Sequence, residues 1–261
     1  MLTIRLQNTS LFGKEILRID CNLLQIWAIH GVESGGRDVI ELKNVAFRYS
    51  GENLFSQINL ALEPGSFHFL TGPSGAGKTT LLKLCYGALH ATEGSVSTFG
   101  QTLQPDGRDE IAKVRRRIGV VHQDCTFLDH LTVAENVALP LTVTGRQDLL
   151  GNLETLLRWV GLAKQAGQLP PSLSGGERQR VALARAVIGA PDVILADEPT
   201  GNVDWEMSER LLSLLADLNA SGKTVVFATH DLPLIRHAKS LVQARVMRLR
   251  GGQLVQAGAE L

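Results

Sequence analysis

The sequence has few cysteines, no excess of either charge and no long apolar run, and each shortage removes a class of protein. Three cysteines in 261 residues, Cys21, Cys85 and Cys125, are too few and too far apart for a disulfide framework or a zinc knuckle. They read as reduced thiols. Lys plus Arg equals Asp plus Glu at 26 each, so no net field draws the chain to nucleic acid or to anionic lipid. Basic residues cluster only at Arg115, Arg116 and Arg117, which read as a solvated helix face. No stretch reaches the ~18 uninterrupted apolar residues of a spanning helix. The first residues lack the basic start, apolar run and cleavage site of a signal peptide, so none is expected. A role at a membrane would therefore run through a partner.

What is present divides at residue 38. Residues 1–38 mix short apolar patches with polar breaks and end in the loop-like "ESGGRD", which reads as a weakly ordered extension. Val39 is a candidate translation start, because GTG can serve as a start codon and "VIELKNVAFRY" opens like a domain; intact-mass measurement of the native protein decides this. From there the pattern is regular. "VIELKNVAFRY", "LFSQINLAL" and "SFHFLTG" read as strands with turn signals between them, and "GKTTLLKLCYGAL" reads as a helix. "RRIGVVHQD", "DVILADEP" and "TVVFATHD" read as short buried strands separated by helical stretches, and "ARVMRLRGG" and "QLVQAG" close the chain. Strands alternating with helices predict an α/β fold with a largely parallel sheet covered on both faces. Residues 39–261 are expected to form one domain with a helical insert over roughly 124–180.

"GPSGAGKT", from Gly72 to Thr79, fits G-x-x-x-x-G-K-[ST] between an apolar strand and a helix. Glycines let backbone N–H groups turn inward around a β-phosphate. Lys78 supplies a point charge to the β- and γ-oxygens, and the Thr79 hydroxyl is a hard ligand for Mg²⁺. Gly72, Pro73, Ser74, Gly75, Ala76, Gly77, Lys78, Thr79 and Thr80 are thus the candidate ATP cradle. In "VILADE" the chain leaves the sheet at Asp197, placed to hold the Mg²⁺ shell at the strand's C-terminal end. Glu198 beside it would repel Asp197 and cost desolvation, so it needs a use. Polarising the water that attacks the γ-phosphate supplies one. A second helix start, "SLSGGERQR", also has the serine and glycines that receive an anion.

With these residues in place, residues 39–261 resemble an ABC-type ATPase. "LSGGE", Leu173, Ser174, Gly175, Gly176 and Glu177, resembles the signature that sets this family apart from other P-loop proteins. The resemblance implies a P-loop fold with an antiparallel β subdomain and a helical insert. It implies that Tyr49 stacks on adenine, that Gln123 reaches the metal and the attacking water, and that His230 touches the γ-phosphate. Asp204 would lie on the loop joining two subunits. It explains the second helix start, since in this family the signature of one subunit completes the site of the other in a head-to-tail homodimer. ATP binding then closes the pair and hydrolysis opens it.

The intervening stretches resemble the branch of the family that serves bacterial cell division, with lipoprotein-release and efflux ATPases as the alternative. That branch implies a cytoplasmic subunit held peripherally on the inner membrane by an integral membrane partner. Asp124–Pro140 is the expected docking segment. Glu198, Gln123 and His230 together argue against a scaffold that binds without hydrolysis. Three features depart from the pattern: His122 where phenylalanine is frequent, Trp205 after Asp204, and residues 1–38, which have no counterpart.

Overall fold

Ten strands form two sheets in the computed structural model, which describes residues 38–49, 51–201 and 203–256. The reading of residues 1–38 as an extension falls outside them, apart from Asp38, and so does Cys21. The antiparallel sheet has the order β2-β1-β4-β5, from β1 (Ile40–Tyr49), β2 (Glu52–Leu62), β4 (Glu93–Thr98) and β5 (Gln101–Thr102). The larger sheet has the order β10-β9-β3-β8-β7-β6. Its members are β3 (Phe67–Thr71), β6 (Ile118–Val121), β7 (Val193–Asp197), β8 (Thr224–Ala228), β9 (Ala244–Arg250) and β10 (Gln253–Gln256). All its pairings are parallel except the hairpin of β9 with β10.

Every residue of β3, β7 and β8 is buried, because both faces of the sheet are covered. On one face, α3 (Val133–Thr144) packs on α5 (Gly175–Val187), with α4 (Leu153–Trp159) against α3. Helices α5 and α6 (Trp205–Ala220) pack on the sheet and α7 (Leu232–Ala238) lies against α6, all in one apolar cluster. Phe69, Phe227, Val137, Leu212 and Leu234 are fully buried there. The other face meets α1 (Lys78–Cys85), α2 (Arg108–Arg116) and the antiparallel sheet, burying Ile40, Phe55, Leu84, Leu195 and Leu249. The parallel strands therefore end, at the P-loop and after β7, between two packed layers. This holds the site rigid.

Two local expectations change. The helix read through "GKTTLLKLCYGAL" stops at Cys85, because Gly87 takes a left-handed conformation (φ 68°) and its N–H turns back to the Leu84 carbonyl. The arginine cluster is more than a solvated face. Arg115 donates to the Tyr86 and Gly87 carbonyls, and Arg117 pairs with Asp192 at 2.6 Å while its guanidinium lies 3.8 Å from the centre of the Phe99 ring. Only the family resemblance, and no pattern read along the chain, points to the antiparallel sheet; of α2, only the basic end at Arg115 and Arg116 is read as helical. Cys85 and Cys125 are free thiols, and burial pushes Cys85 up to about 12.

Candidate active site

The loop from Gly72 to Gly77 leaves the C-terminal end of β3 and feeds α1, and two of its glycines are required by their surroundings. A Cβ on Gly72 would lie 2.4 Å from the Leu249 carbonyl oxygen. A Cβ on Gly77 would lie 2.6 Å from the Phe55 ring, and its φ of 99° is hostile to any side chain. Gly77→Ala is expected to cost about 1–3 kcal/mol, from left-handed strain plus overpacking. A thermal melt checks this, at about 2–4 °C of lowered midpoint per kcal/mol.

Lys78 opens α1 and is buried. Its Nζ donates to the Gly72 carbonyl at 3.0 Å and the Pro73 carbonyl at 3.4 Å. It also lies 3.1 Å from Glu198 Oε1, while Glu198 Oε2 lies 2.9 Å from His230 Nδ1. Glu198 is 8% exposed and so carries a desolvated charge whose two oxygens are both engaged. Its backbone is left-handed (φ 45°), unusual for a residue with a side chain, and its N–H is held by the Ala228 carbonyl. The turn after β7 thus sets the carboxylate against Lys78 and His230. The expected repulsion is still felt at Asp197, where, besides desolvation, the Glu198 charge raises the carboxyl and Lys78 opposes it.

Asp197 is buried at the end of β7, and desolvation holds its carboxyl above the usual range, partly offset by a hydrogen bond from the Thr79 side chain. Its Oδ1 is buried without a hydrogen-bond partner. A carboxylate oxygen left open beside a hydroxyl is a donor set that fits a hard divalent cation. His122, exposed in surface terms, lies close enough to feel the Asp197 charge, but partial desolvation outweighs it and lowers its pKa.

A cleft of about 660 Å³ gathers most of the expected residues: Tyr49, Pro73, Ser74, Gly75, Gly77, Lys78, Thr79, Thr80, Gln123, Glu198 and His230. The volume matches a ligand of nucleotide size. Tyr49 stands half exposed at its rim, edge-on to Phe47 and 3.4 Å from Thr80 Oγ1 through its hydroxyl. Leu54 also lines the cleft and was missed. Its signal is an apolar residue on β2 two positions past Glu52, the register partner of Tyr49. Ala76 turns instead against the core between the sheets, and Gly72 contributes its carbonyl to Lys78.

The signature lies elsewhere. Ser174 caps α5 in a reciprocal box with Glu177: the Ser174 N–H and hydroxyl donate to Glu177 Oε2, and Ser174 Oγ accepts from the Glu177 N–H. Ser174 and Gly175 face solvent, whereas Leu173 anchors the turn in the core. Asp204 caps α6 through the Met207 N–H at 2.8 Å. Met207 in turn accepts from Arg180 and lies against Gly176. Signature and Asp204 therefore share one surface, and neither lines the cleft of the same chain.

A family model described as ABC transporter matches residues 55–201. The chain belongs to the ABC transporter family. As an ABC ATPase it converts ATP and water to ADP and phosphate. Its relatives include the cell division ATP-binding protein FtsE of Haemophilus influenzae, 44% identical over 76% of this chain and 93% of that protein. FtsE of Bacillus subtilis is 40% identical over 84% of this chain and 95% of that protein. Among solved structures this ABC ATPase resembles the ATP-binding cassette MJ0796, dimeric in a post-hydrolysis state with ADP and Pi bound. The TM-score is 0.74 at 34% identity, covering 84% of this chain and 99% of that one.

Proposed function

We propose that this chain is the ATP-hydrolysing subunit of a bacterial cell-division complex of the FtsE type, working with an integral membrane partner resembling FtsX. The observation that carries the hydrolytic part is the Glu198 carboxylate, buried at the cleft and held between Lys78 and His230. Tyr49 stacks on adenine, with Leu54 beside it. The loop from Gly72 to Thr80 receives the phosphates, Lys78 takes the γ-phosphate charge, and Glu198 accepts a proton from the attacking water. Gln123 positions that water and His230 steadies the γ-phosphate. Thr79, Gln123 and Asp197 would hold Mg²⁺, which when bound offsets the charge on the phosphate oxygens.

Two copies assemble head to tail in this reading, so that Leu173–Glu177 and Asp204 of one complete the cleft of the other. The separation of those residues from their own cleft supports it. Residues 39–261 are the ATPase domain, with the helical insert over roughly 124–180, and residues 1–38 are an extension. Within Asp124–Pro140, Val133 and Val137 are core, whereas Leu128, Asp129 and His130 are exposed and best suited to meet the partner. No helix among the described residues is long and apolar enough to cross a membrane, which suits a subunit bound peripherally on the cytoplasmic face of the inner membrane.

Phosphate release by the purified chain in Mg-ATP tests the reading. Activity is expected to fall to background when EDTA removes the divalent ion, and activity that survives EDTA would take the metal role from Thr79 and Asp197. A neighbouring gene for a four-span membrane protein with a large extracytoplasmic loop supports the FtsX-like partner. A neighbouring lipoprotein-handling permease would move the assignment to a lipoprotein-release ATPase.

A further inference from the structure

The loop that carries Gln123 joins β6 to α3 without regular structure, yet the stretch just after the glutamine is bonded at step after step. Arg178 donates through Nη2 to the Cys125 carbonyl at 2.8 Å and through Nη1 to the Pro170 carbonyl at 3.0 Å. Arg185 donates to the Thr126 carbonyl at 2.8 Å. The ring of Phe127 is buried, and the two guanidinium carbons lie 5.0 and 4.7 Å from its centre. The Cys125 thiol donates to Gln179 Oε1 at 3.2 Å, and Gln179 is itself buried. Arg178, Gln179 and Arg185 all belong to α5, whose cap is Ser174.

Arg178 and Arg185 stand two turns apart on one face of that helix, which is why both reach the same short piece of chain. Each combines hydrogen bonding with a flat face over an aromatic ring, a pairing that lysine cannot reproduce. Arg185 is partly buried, and desolvation lowers its pKa. Three hydrogen bonds and two ring contacts on so short a stretch hold the loop in one geometry.

We propose that Arg178, Arg185 and Phe127 are positioning residues for ATP hydrolysis, fastening the Gln123 loop to the signature helix so that Gln123 and Ser174 move as one rigid unit. The inference rests on the reading of the cleft given under Proposed function. Gln123 faces the cleft of its own chain, whereas Ser174 faces away from it. A rigid link between them means that a subunit docking its signature on its partner also sets the glutamine in its own site. Loosening the link leaves the P-loop untouched and misplaces Gln123.

The test uses the full chain carrying Arg185→Lys, Arg178→Lys or Phe127→Leu, each alone and combined with Gln123→Ala. Single clamp variants are expected to lower kcat roughly tenfold to a hundredfold, the scale of an ångström-sized misplacement. Binding of a fluorescent ATP analogue by the single subunit should stay within about twofold of the parent, since the loss is confined to turnover. In the Gln123→Ala background the same substitutions should lower kcat by no more than about twofold further, because the group they position is gone. Equal losses in both backgrounds, or parental kcat in the single variants, would overturn the proposal. Arg178→Lys supplies the reading if Arg185→Lys lowers the melting temperature. A parent chain without hydrolysis, or a fully active Glu198→Gln, would instead overturn the reading of the cleft.

Discussion

Glu198→Gln should bind ATP, form a dimer and almost cease to turn over. The substitution keeps the shape of the side chain and removes the basic oxygen, so the expected loss in kcat is roughly a hundredfold to ten-thousandfold, the contribution of a positioned general base. The geometry gives the alternative a distinct signature. If Glu198 served only as the counter-ion of buried Lys78, 3.1 Å away, then neutralising it would leave an unpaired buried cation. The chain would then lose about 3–5 kcal/mol of stability, and hydrolysis would decline together with folding. In the catalytic reading the incoming γ-phosphate replaces Glu198 as the counter-charge of Lys78, so nucleotide rescues stability and only turnover is lost. Light scattering in saturating Mg-ATP should find the variant as a dimer. A variant as active as the parent would remove Glu198 from its assigned role.

The parts of this site that the sequence reveals are the parts encoded locally. A phosphate loop is a strand, a glycine turn and a helix in one continuous stretch, so the spacing of Gly72, Gly77 and Lys78 carries its own geometry. The same holds for Asp197, placed at a strand end by the apolar run before it. What could not be read is how distant stretches meet. The contact of Lys78 with Glu198 depends on β7 lying two strands from β3, and on a left-handed turn at Glu198 that no residue type announces. Tyr49 and His230 carried little meaning until the family resemblance supplied it, because one aromatic or one histidine is compatible with ordinary packing. Leu54 went unread for the same reason. The arginines at 115 and 117 misled because a charge run along the sequence does not show the carbonyls and rings of other elements that lie within its reach.

Ser174→Arg is expected to abolish hydrolysis while leaving nucleotide binding by the isolated subunit nearly intact. Ser174 is an exposed helix cap that does not line its own cleft, so a large cation there obstructs the phosphate of a partner and not its own. The lost cap costs about 0.5–2 kcal/mol, too little to unfold a domain whose core spans both sheets. The decisive measurement mixes this variant with Lys78→Ala. Each alone is dead, because both sites of either homodimer lack one half. In the mixed dimer the intact P-loop of the Ser174→Arg chain faces the intact signature of the Lys78→Ala chain, and one whole site is restored. With random pairing about a quarter of the parental sites should then be whole, so phosphate release should rise from background towards that share. If the serine acted on the cleft of its own chain, no combination would contain a complete site and the mixture would stay silent. Activity on mixing is therefore the direct measure of whether the two anion-receiving helix starts of this chain serve one nucleotide from opposite subunits.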